Sequence, residues 1–215
     1  MNNILKELSL KCCKCGKCCR FTINITPFDI WRIERKTGLN PRDFTLVVTR
    51  PDRFGGRYIQ FLMKLTNSNC IFLSENICKI NDFKPITCRL FPFREYEDGE
   101  IHWMHDHVDF IKQNCDISLD NSDNIQYYLK KYTEINYYIK KYNEEINEFQ
   151  NFFNVWHSSL PKGSKINIYN FLDFLDRYKN NYVDDDLTDE KLTKFLNDSD
   201  TLRKWNRQLN NNKYL

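Results

Sequence analysis

Glycine and proline are scarce in this chain of 215 residues, which contains only six of each. The hydrophobic content is 41% and the aromatic content is 15%. These values argue against a disordered chain and against a disulfide-stapled knot of loops. A chain of this length can also bury a core of its own. The composition therefore predicts a folded globular protein.

Long apolar runs are also missing. No stretch is long enough to span a bilayer, and the first residues, MNNILKELSLKCC, contain no apolar segment typical of a secretory signal. The sequence therefore predicts a cytoplasmic protein that does not enter the membrane. In a reducing compartment its cysteines are expected to be thiols rather than stable disulfides.

Motifs of several common protein classes are absent as well. The sequence has no phosphate-binding glycine loop and no G-x-S-x-G nucleophile motif. The net charge is only +3, and the basic residues are interleaved with acidic ones, which is typical of a solvated surface. Nucleic acid is therefore not an expected partner. Catalysis by a lone activated thiolate is a weaker interpretation than metal ligation.

The residue type that stands out is cysteine. Five of the nine cysteines lie within the run KCCKCGKCCR, at Cys12, Cys13, Cys15, Cys18 and Cys19. Ionised thiolates packed so densely repel one another, and a bound metal ion or iron–sulfur cluster removes this repulsion. The basic residues between the cysteines favour the thiolate form. The run therefore predicts a metal site rather than a set of core cysteines.

The spacing within the run bears on the kind of metal. Cys12, Cys15 and Cys18 follow the spacing of bacterial ferredoxins, which hold [4Fe–4S] clusters, and this cofactor is preferred. Structural Zn²⁺ is the alternative, since cysteine pairs from separated segments usually bind it. The side chains of the adjacent residues Cys18 and Cys19 diverge. This pair therefore indicates two centres, a bridging sulfur, or one ligand beside one additional thiol.

A second block of cysteines lies in the segment NCIFLSENICKINDFKPITCRLFPF, at Cys70, Cys78 and Cys88. Three linked motifs, C-x-x-C-G-x-C-C, C-x-F-L with a following C-x-I, and P-x-x-C-R-x-F-P-F, resemble the CxxCxxCC cysteine-cluster family. This family is also called YkgJ-like and is described as zinc- or iron-chelating. The resemblance covers residues 12 to 93, with Cys115 as an outlying member.

The resemblance implies metal chelation by the cysteines of both blocks. The implied ligands are Cys12, Cys15, Cys18, Cys19, Cys70, Cys78, Cys88 and Cys115. Flagellin lysine-N-methylases are similar in this cysteine pattern, so the resemblance also implies methyl transfer to a lysine of a protein substrate. Arg89 and Arg94 would then be available to hold an anionic substrate group. The alternative is a non-catalytic zinc- or iron-binding module that stabilises a fold or delivers metal.

Two positions depart from the family pattern. Cys13 is an extra cysteine in the first motif, and it is either a spare thiol or a replacement ligand. Lys84 precedes Pro85 where the family commonly has arginine, a change that preserves the positive charge.

Three histidines are further metal-capable side chains. His102, His105 and His107 follow a turn signal at Asp98-Gly99 that predicts a β-hairpin. On a strand, the last two would face the same side and could meet one ion. Unligated histidines at the end of a polar hairpin are the favoured interpretation.

The periodicity of the second half predicts a largely helical region. Apolar residues recur every three to four positions from Ile125 onward, which predicts a helix of roughly thirty-five residues ended by Pro161 and Gly163. Packing of this helix on later helices is favoured over a coiled-coil dimer. The later helices are predicted at Asn167 to Tyr178, Thr188 to Leu196 and Ser199 to Leu209.

The first half combines short strands with short helices. Residues 21–26 read as a strand, and Thr26 as the N-cap of a helix that ends near Gly38. Asn40-Pro41 predicts a second short helix that carries Phe44, Leu46 and Val47. The remaining elements are predicted as a strand from Tyr58 to Leu65 after a Gly55-Gly56 turn and a turn or helix after Pro85 that presents Cys88.

The predicted fold class is therefore α+β and mainly helical. Residues 1–119 are predicted to form a small cysteine-cluster domain with short strands. Residues 120–215 are predicted to form a helical carboxy-terminal region packed on it.

Overall fold

The computed structural model describes residues 3–12, 14–51, 57–117, 125–161 and 187–211. The helices are α1 (Asn3–Leu8), α2 (Pro27–Thr37), α3 (Pro41–Phe44), α4 (Ile86–Leu90), α5 (Val108–Asn114), α6 (Ile125–Ser159), α7 (Asp189–Leu196) and α8 (Ser199–Asn211). The strands are β1 (Leu10–Lys11), β2 (Asn24–Ile25), β3 (Thr45–Pro51), β4 (Arg57–Met63), β5 (Leu65–Thr66), β6 (Asn69–Cys70), β7 (Leu73–Ser74), β8 (Ile77–Cys78), β9 (Phe93–Glu95), β10 (Ile101–Trp103) and β11 (Asp116–Ile117). The prediction of a mainly helical α+β protein is confirmed.

The chain forms two compact units. The first unit comprises Met1–Lys17, Leu90–Lys141 and Asp186–Leu215, and the second comprises Cys18–Arg89 and Tyr142–Asp185. Each unit is therefore assembled from segments that are far apart in sequence. The predicted boundary between residues 119 and 120 stays a prediction. Across the part of the chain that the structure describes, no helix is both long enough and apolar enough to cross a membrane.

The start and end of α2 follow directly from its sequence. The Thr26 hydroxyl accepts a hydrogen bond from the Asp29 amide at 3.0 Å, and the Asp29 carboxylate accepts one from the Thr26 amide at 3.2 Å. This reciprocal pair is a capping box. At the other end, Gly38 adopts a left-handed φ of 72° and donates its amide proton to the Glu34 carbonyl. The predicted limits of this helix are confirmed.

The predicted second helix is shorter than expected. It begins after the Asn40 cap as predicted, but α3 ends at Phe44. Leu46 and Val47 instead belong to strand β3, so their assignment to the helix was wrong. The physical reason is the run TLVVT, whose β-branched residues favour extended backbone.

The second unit contains a three-stranded antiparallel sheet in the order β2-β4-β3. Phe61 of the central strand lies between Ile25 and Val47 and is 3% exposed. Its ring packs edge-on against Phe149 of α6, with 5.4 Å between the ring centres. The core of the unit therefore joins the sheet, α2 and the second half of α6. Gly55 and Gly56 lie outside the described residues.

The first unit contains two small antiparallel pairs, β1 with β11 and β9 with β10. The second of these is the hairpin predicted at Asp98-Gly99. Helix α8 lies against this hairpin. The side chain of its buried Gln208 pairs with the backbone of Ile101 in β10, much as the backbone of an adjacent strand would. The Gln208 side chain accepts a hydrogen bond from the Ile101 amide at 3.3 Å and donates one to the Ile101 carbonyl at 2.5 Å.

The long helix was predicted correctly. Helix α6 begins at Ile125 and ends at Ser159, before Pro161. In the first unit, its Tyr132 packs on Trp205 of α8, with 5.0 Å between ring centres. Helices α7 and α8 also lie where they were predicted. Gly163 and the predicted helix at residues 167–178 lie outside the described residues.

Candidate metal centre

Cys70 and Cys78 occupy equivalent positions in two consecutive β-hairpins of the second unit. In the first hairpin Leu65 lies opposite Cys70, and in the second Leu73 lies opposite Cys78. The segments LTNSNC and LSENIC therefore form a structural repeat with a period of eight residues. Sequence reasoning missed this repeat, although the recurring L-x4-C spacing was a visible signal.

Both hairpins turn in the same way. The two central residues of each turn have positive φ angles, 50° and 61° at Asn67 and Ser68, and 52° and 62° at Glu75 and Asn76. Positive φ at both central positions defines the type I′ turn, whose twist matches that of paired strands. After each turn, the cysteine is the last residue of the second strand of the hairpin, β6 or β8.

The hairpins are anchored by the residues beside their cysteines. Phe72 and Ile80, which are also eight residues apart, are 6% and 2% exposed and belong to the core of the second unit. The sulfur of Cys70 additionally accepts a hydrogen bond from the Phe72 amide. Burial raises the pKa of the Cys70 thiol, and this hydrogen bond opposes the rise.

Cys88 lies in the short helix α4, as predicted after Pro85. Two hydrogen bonds hold the start of this helix. The Ile86 amide donates to the Asp29 carboxylate at 3.2 Å, and the Thr87 hydroxyl donates to the Asn24 carbonyl at 2.6 Å. The pKa of the Cys88 thiol is raised, first by burial and then by the nearby charge of Asp29. Cys88 is thus firmly placed and resists ionisation on its own.

The Asp29 carboxylate belongs to a buried network of charged groups. It accepts a hydrogen bond from Arg32 at 2.6 Å, and the same guanidinium lies 3.5 Å from Glu145 of α6. Glu145 also accepts a hydrogen bond from the Thr26 hydroxyl. The side chains of Asp29, Arg32 and Glu145 are 0%, 6% and 7% exposed. The cap of α2, the α6 contact and the start of α4 therefore depend on one another.

Cys18 and Cys19 form a hydrogen-bonded pair of thiols in the 3₁₀ turn Lys17–Arg20. The hydrogen bond raises the pKa of Cys18, which donates it, and lowers the pKa of Cys19, which accepts it. Cys19 therefore ionises before Cys18. The assignment of one or both of these cysteines as ligands stays a prediction.

Cys19 is also the thiol whose electrostatic surroundings connect the two cysteine blocks. The charges of Cys70, Cys78 and Cys88 all act on Cys19 and oppose the lowering of its pKa. Four sulfurs from three separate segments of the second unit therefore share one electrostatic neighbourhood. A cation that bound there would relieve their mutual repulsion.

Lys84 supplies positive charge to this neighbourhood. Its ammonium group lowers the pKa of both Cys18 and Cys88, against the larger effects that raise them. Sequence reasoning instead assigned this role to the basic residues between the first cysteines. One of those residues, Lys17, donates a hydrogen bond to Asn114 at 3.1 Å in the first unit. The basic residue before Pro85 is therefore part of the cysteine site.

The thiols are close enough to affect one another's pKa, but they do not form a complete set of metal ligands among the described residues. Within the described ranges, no three His, Cys, Asp or Glu side chains are arranged so that they could hold a metal ion as they stand. The donor set nevertheless fits a thiophilic metal, since four thiolates are the usual ligands of both structural zinc and iron–sulfur clusters.

The remaining predicted ligands lie in the first unit. Cys12, which is exposed, follows β1, and Cys115 lies between α5 and β11. Cys15 lies in the loop after Cys12 and is partly buried. Cys13 lies outside the described residues.

The three clustered histidines are in the first unit and do not share a strand. His102 lies on β10, with its Nδ1 atom 3.4 Å from a Glu7 carboxylate oxygen. His105 and His107 lie in a 3₁₀ turn, so the alternative in which they share one face of a strand does not apply. The His105 ring stacks on Tyr96, with 4.6 Å between ring centres.

The two arginines suggested for substrate binding make contacts within the protein. The Arg89 guanidinium donates to the carbonyl oxygens of Lys84 and Asp82, at 3.1 Å and 2.8 Å. These bonds fasten α4 to the segment that precedes it. The Arg94 guanidinium lies over the Tyr96 ring, 5.7 Å from its centre.

Part of the chain matches a known protein family. Residues 11–116, just under half of the chain, match the model of the CxxCxxCC family, described as "Putative zinc- or iron-chelating domain". This range includes every described cysteine of both units. No curated protein and no solved structure matches the chain.

Proposed function

Because residues 11–116 match the model of the CxxCxxCC family, we propose that the second unit binds a thiophilic metal through Cys19, Cys70, Cys78 and Cys88. The observation that carries this proposal is the electrostatic coupling of Cys19 to the other three sulfurs. In water such a group of thiols is stable only when it is protonated or bound to a cation. The family description supports the second of these states.

The proposed role of Cys18 is to hold the Cys19 sulfur rather than to bind the metal. Its thiol is the donor of the hydrogen bond to Cys19, and its own pKa is raised. Hydrogen bonds to ligating sulfurs orient them and tune their charge. The Phe72 amide would act on Cys70 in the same way. Lys84 would offset part of the negative charge of four thiolates.

The bound species is proposed to be a [4Fe–4S] cluster or a Zn²⁺ ion. Both take four cysteine thiolates, so the ligand set alone is compatible with either. When bound, either species would supply a fixed cross-link between the hairpins, the Cys18–Cys19 turn and α4. A metal-binding module is favoured over the methyl-transfer enzyme because Arg89 is engaged in fastening α4.

Anaerobic purification followed by metal analysis and visible absorption tests the proposal. Brown protein with iron and labile sulfide would identify a cluster and exclude zinc as the bound species. Colourless protein with stoichiometric zinc would exclude the cluster. Protein that contains neither metal after purification and does not take up either one in vitro would overturn the proposed function.

Serine variants of the adjacent cysteines provide a matched comparison for the ligand set. We expect Cys19→Ser and Cys88→Ser to lower the metal content several-fold, because each removes a ligand. Cys18→Ser should retain most of the metal, since a hydroxyl can still donate to the Cys19 sulfur. Equal metal content in Cys18→Ser, Cys19→Ser and Cys88→Ser would contradict the assignment.

A further inference from the structure

Strand β3 forms one edge of the three-stranded sheet in the second unit. The strand order is β2-β4-β3, so among the described residues β3 pairs with β4 alone. The opposite edge, β2, is only two residues long, whereas β3 spans seven residues, Thr45–Pro51, in unbroken register with β4. The long edge of the sheet is therefore a template onto which another strand can pair.

The hydrogen bonds at the end of this sheet show which amides of β3 point away from β4. The Lys64 amide, which follows β4, donates to the Phe44 carbonyl at 2.8 Å, in the register of the β3–β4 pair. The amide of Met63 instead donates to Ile23, on the β2 side, at 3.0 Å. Hydrogen-bonded pairs recur at every second residue of an antiparallel ladder. The even-numbered residues of β3 therefore bond to β4, and the backbone groups of its odd-numbered residues point outward.

The outer edge of β3 offers two amide donors, those of Val47 and Thr49. The Thr45 amide also lies on this side, but it donates to the Pro41 carbonyl at the end of α3. Pro51 has no amide proton. Within the described part of the chain, no strand pairs with Val47 and Thr49 on this side. The edge thus carries two donors with their two carbonyl acceptors, between positions that cannot donate to a further strand.

The side chains of β3 do little to keep another strand away. Natural sheets protect exposed edges with charged residues, prolines or bulges. Residues 45–49, TLVVT, contain none of these, and only Arg50 and Pro51 follow at the end of the strand. Val47 packs against the core, whereas Leu46, on the opposite face, is 48% exposed. A partner strand would cover part of this apolar side chain.

From this geometry we propose that β3 pairs antiparallel with β3 of a second copy of the chain, so that two three-stranded sheets join into one. In the register that overlaps the two strands over their whole length, Val48 lies opposite Val48 of the partner subunit, at a twofold axis. The amides of Val47 and Thr49 then meet the carbonyls of Thr49 and Val47 of the partner subunit. Each copy therefore donates two hydrogen bonds and accepts two.

The charge pattern of β3 makes the strand complementary to itself. In this register Arg50 lies opposite Leu46 of the partner subunit, so the two arginines stay apart and no like charges face each other. Because the contact involves one strand from each copy, we expect it to bury less than the roughly 1,200 Å² of a standard interface and to have a dissociation constant of about 10–100 μM. The contact uses none of the proposed metal ligands, so it does not depend on the proposed function.

Sedimentation velocity of the metal-loaded protein at about 1–500 μM tests the proposal. The buffer is anaerobic and contains a reductant, which prevents intermolecular disulfides. The mean mass should rise with concentration from that of one chain toward that of two chains. Protein that remains monomeric at the highest concentration would overturn the proposal. Assemblies that grow beyond two chains would also overturn it, because a twofold contact closes after one pairing.

Charge-swap variants at Val48 test the strand and its register. Val48→Lys and Val48→Glu should each raise the dissociation constant about tenfold or more, because like charges then face each other at the axis. An equimolar mixture of the two variants should restore the dimer, because opposite charges then meet. Leu39→Lys, at an exposed apolar position outside the sheet, is the matched control and should dimerise like the wild type. Equal weakening in Leu39→Lys, or no weakening in either Val48 variant, would contradict pairing through β3.

A proline variant removes an outward amide without changing the bonds to β4. Thr49→Pro should weaken the dimer about tenfold while keeping the wild-type circular dichroism and metal content, since proline is tolerated on an edge strand. Full dimerisation of Thr49→Pro would contradict the pairing. Metal content measured in parallel keeps the two proposals apart. A wild-type dimer without metal would contradict the proposed function alone, and a metal-loaded monomer would contradict the dimer alone.

Discussion

Asp29 is the residue that connects local helix capping with the cysteine site. Its carboxylate accepts hydrogen bonds from the Thr26 amide, from Arg32 and from the Ile86 amide, which lies two residues before Cys88. The sequence indicated the first of these contacts, because an acidic residue at the third helical position is typical of a capping box. It gave no sign of the bond to Ile86, fifty-seven residues later in the chain.

Replacing Asp29 should therefore affect both stability and metal binding. We expect Asp29→Asn to lower the free energy of unfolding by about 2–3 kcal/mol, because it leaves the buried Arg32 without its nearest charge. Urea denaturation would measure this change, and metal affinity should fall with it as α4 loosens. Asp43→Asn, at an exposed first-turn position of α3, is the matched control. Equal stability of the two variants would contradict the role given to Asp29.

His102 is expected to make the stability of the first unit depend on pH. Its hydrogen bond to Glu7 is the largest cause of a raised pKa, and Glu100 adds to it. A raised pKa in the folded state means that the protonated imidazole stabilises the fold. This contribution is complete below the pKa of the unfolded state and is lost as the pH rises through the pKa of the folded state.

The variant His102→Gln should therefore be less stable than the wild type under acidic conditions only. The expected difference is about 0.5–1 kcal/mol near pH 5.5 and should vanish at a pH well above the pKa of the folded state. Thermal unfolding across this pH range would measure it. Glu7→Gln removes the main cause of the shift and should flatten the pH dependence in the same way. A wild-type pH dependence that survived in both variants would show that another group is responsible.

At the scale of elements, the two cysteine hairpins are unusual because neither turn contains glycine. Type I′ turns favour glycine, and non-glycine residues pay a steric cost at positive φ. Because the turns lack glycine, the sequence did not predict these two hairpins. Glycine-based turn signals were found at Asp98-Gly99, where a hairpin does form, and were absent from residues 65–78.

The Ser68→Gly variant should stabilise the first of these hairpins. Serine at a φ of 61° is strained by about 1 kcal/mol, and glycine relieves this strain at a smaller entropic cost, for a net gain of about 0.5 kcal/mol. A small rise in Tm would report the gain. Ser74→Gly, within strand β7, is the control and should lower the Tm. A decrease for both variants would argue against a type I′ turn at Asn67-Ser68.

At the scale of the whole molecule, the chain is organised by contacts between distant segments. Each unit combines an amino-terminal segment with part of the carboxy-terminal half. In the second unit the hairpins are only two residues long on each strand, and isolated hairpins of this size are marginal in water. Their order must therefore come from the core anchors Phe72 and Ile80 and, when bound, from the metal.

Metal removal should loosen the hairpins without unfolding the sheet beside them. The amides of Ile71 and Lys79 close the two hairpins by bonding to Lys64 and Phe72. We expect their hydrogen exchange to accelerate at least tenfold in chelator-treated protein. The amide of Met63, which bonds to Ile23 beside the three-stranded sheet, is the internal control. Equal acceleration at all three amides would indicate general unfolding instead.

The sequence by itself determined the features that depend on neighbouring residues. The caps of α2, the length of α6 and the hairpin at Asp98-Gly99 follow from local hydrogen bonding, apolar periodicity and turn chemistry. The three cysteine motifs likewise sufficed to predict the family whose model residues 11–116 match.

Only the tertiary structure decided how the cysteines are grouped. The run KCCKCGKCCR looks like one motif, yet Cys12 lies in the first unit and Cys19 in the second. The physical reason is that strand register and buried contacts place each thiol. Cys12 follows strand β1, which pairs with β11, whereas Cys19 lies close enough to the cysteines of the anchored hairpins for their charges to act on it. Both depend on residues more than fifty positions away, which spacing within the run could not reveal.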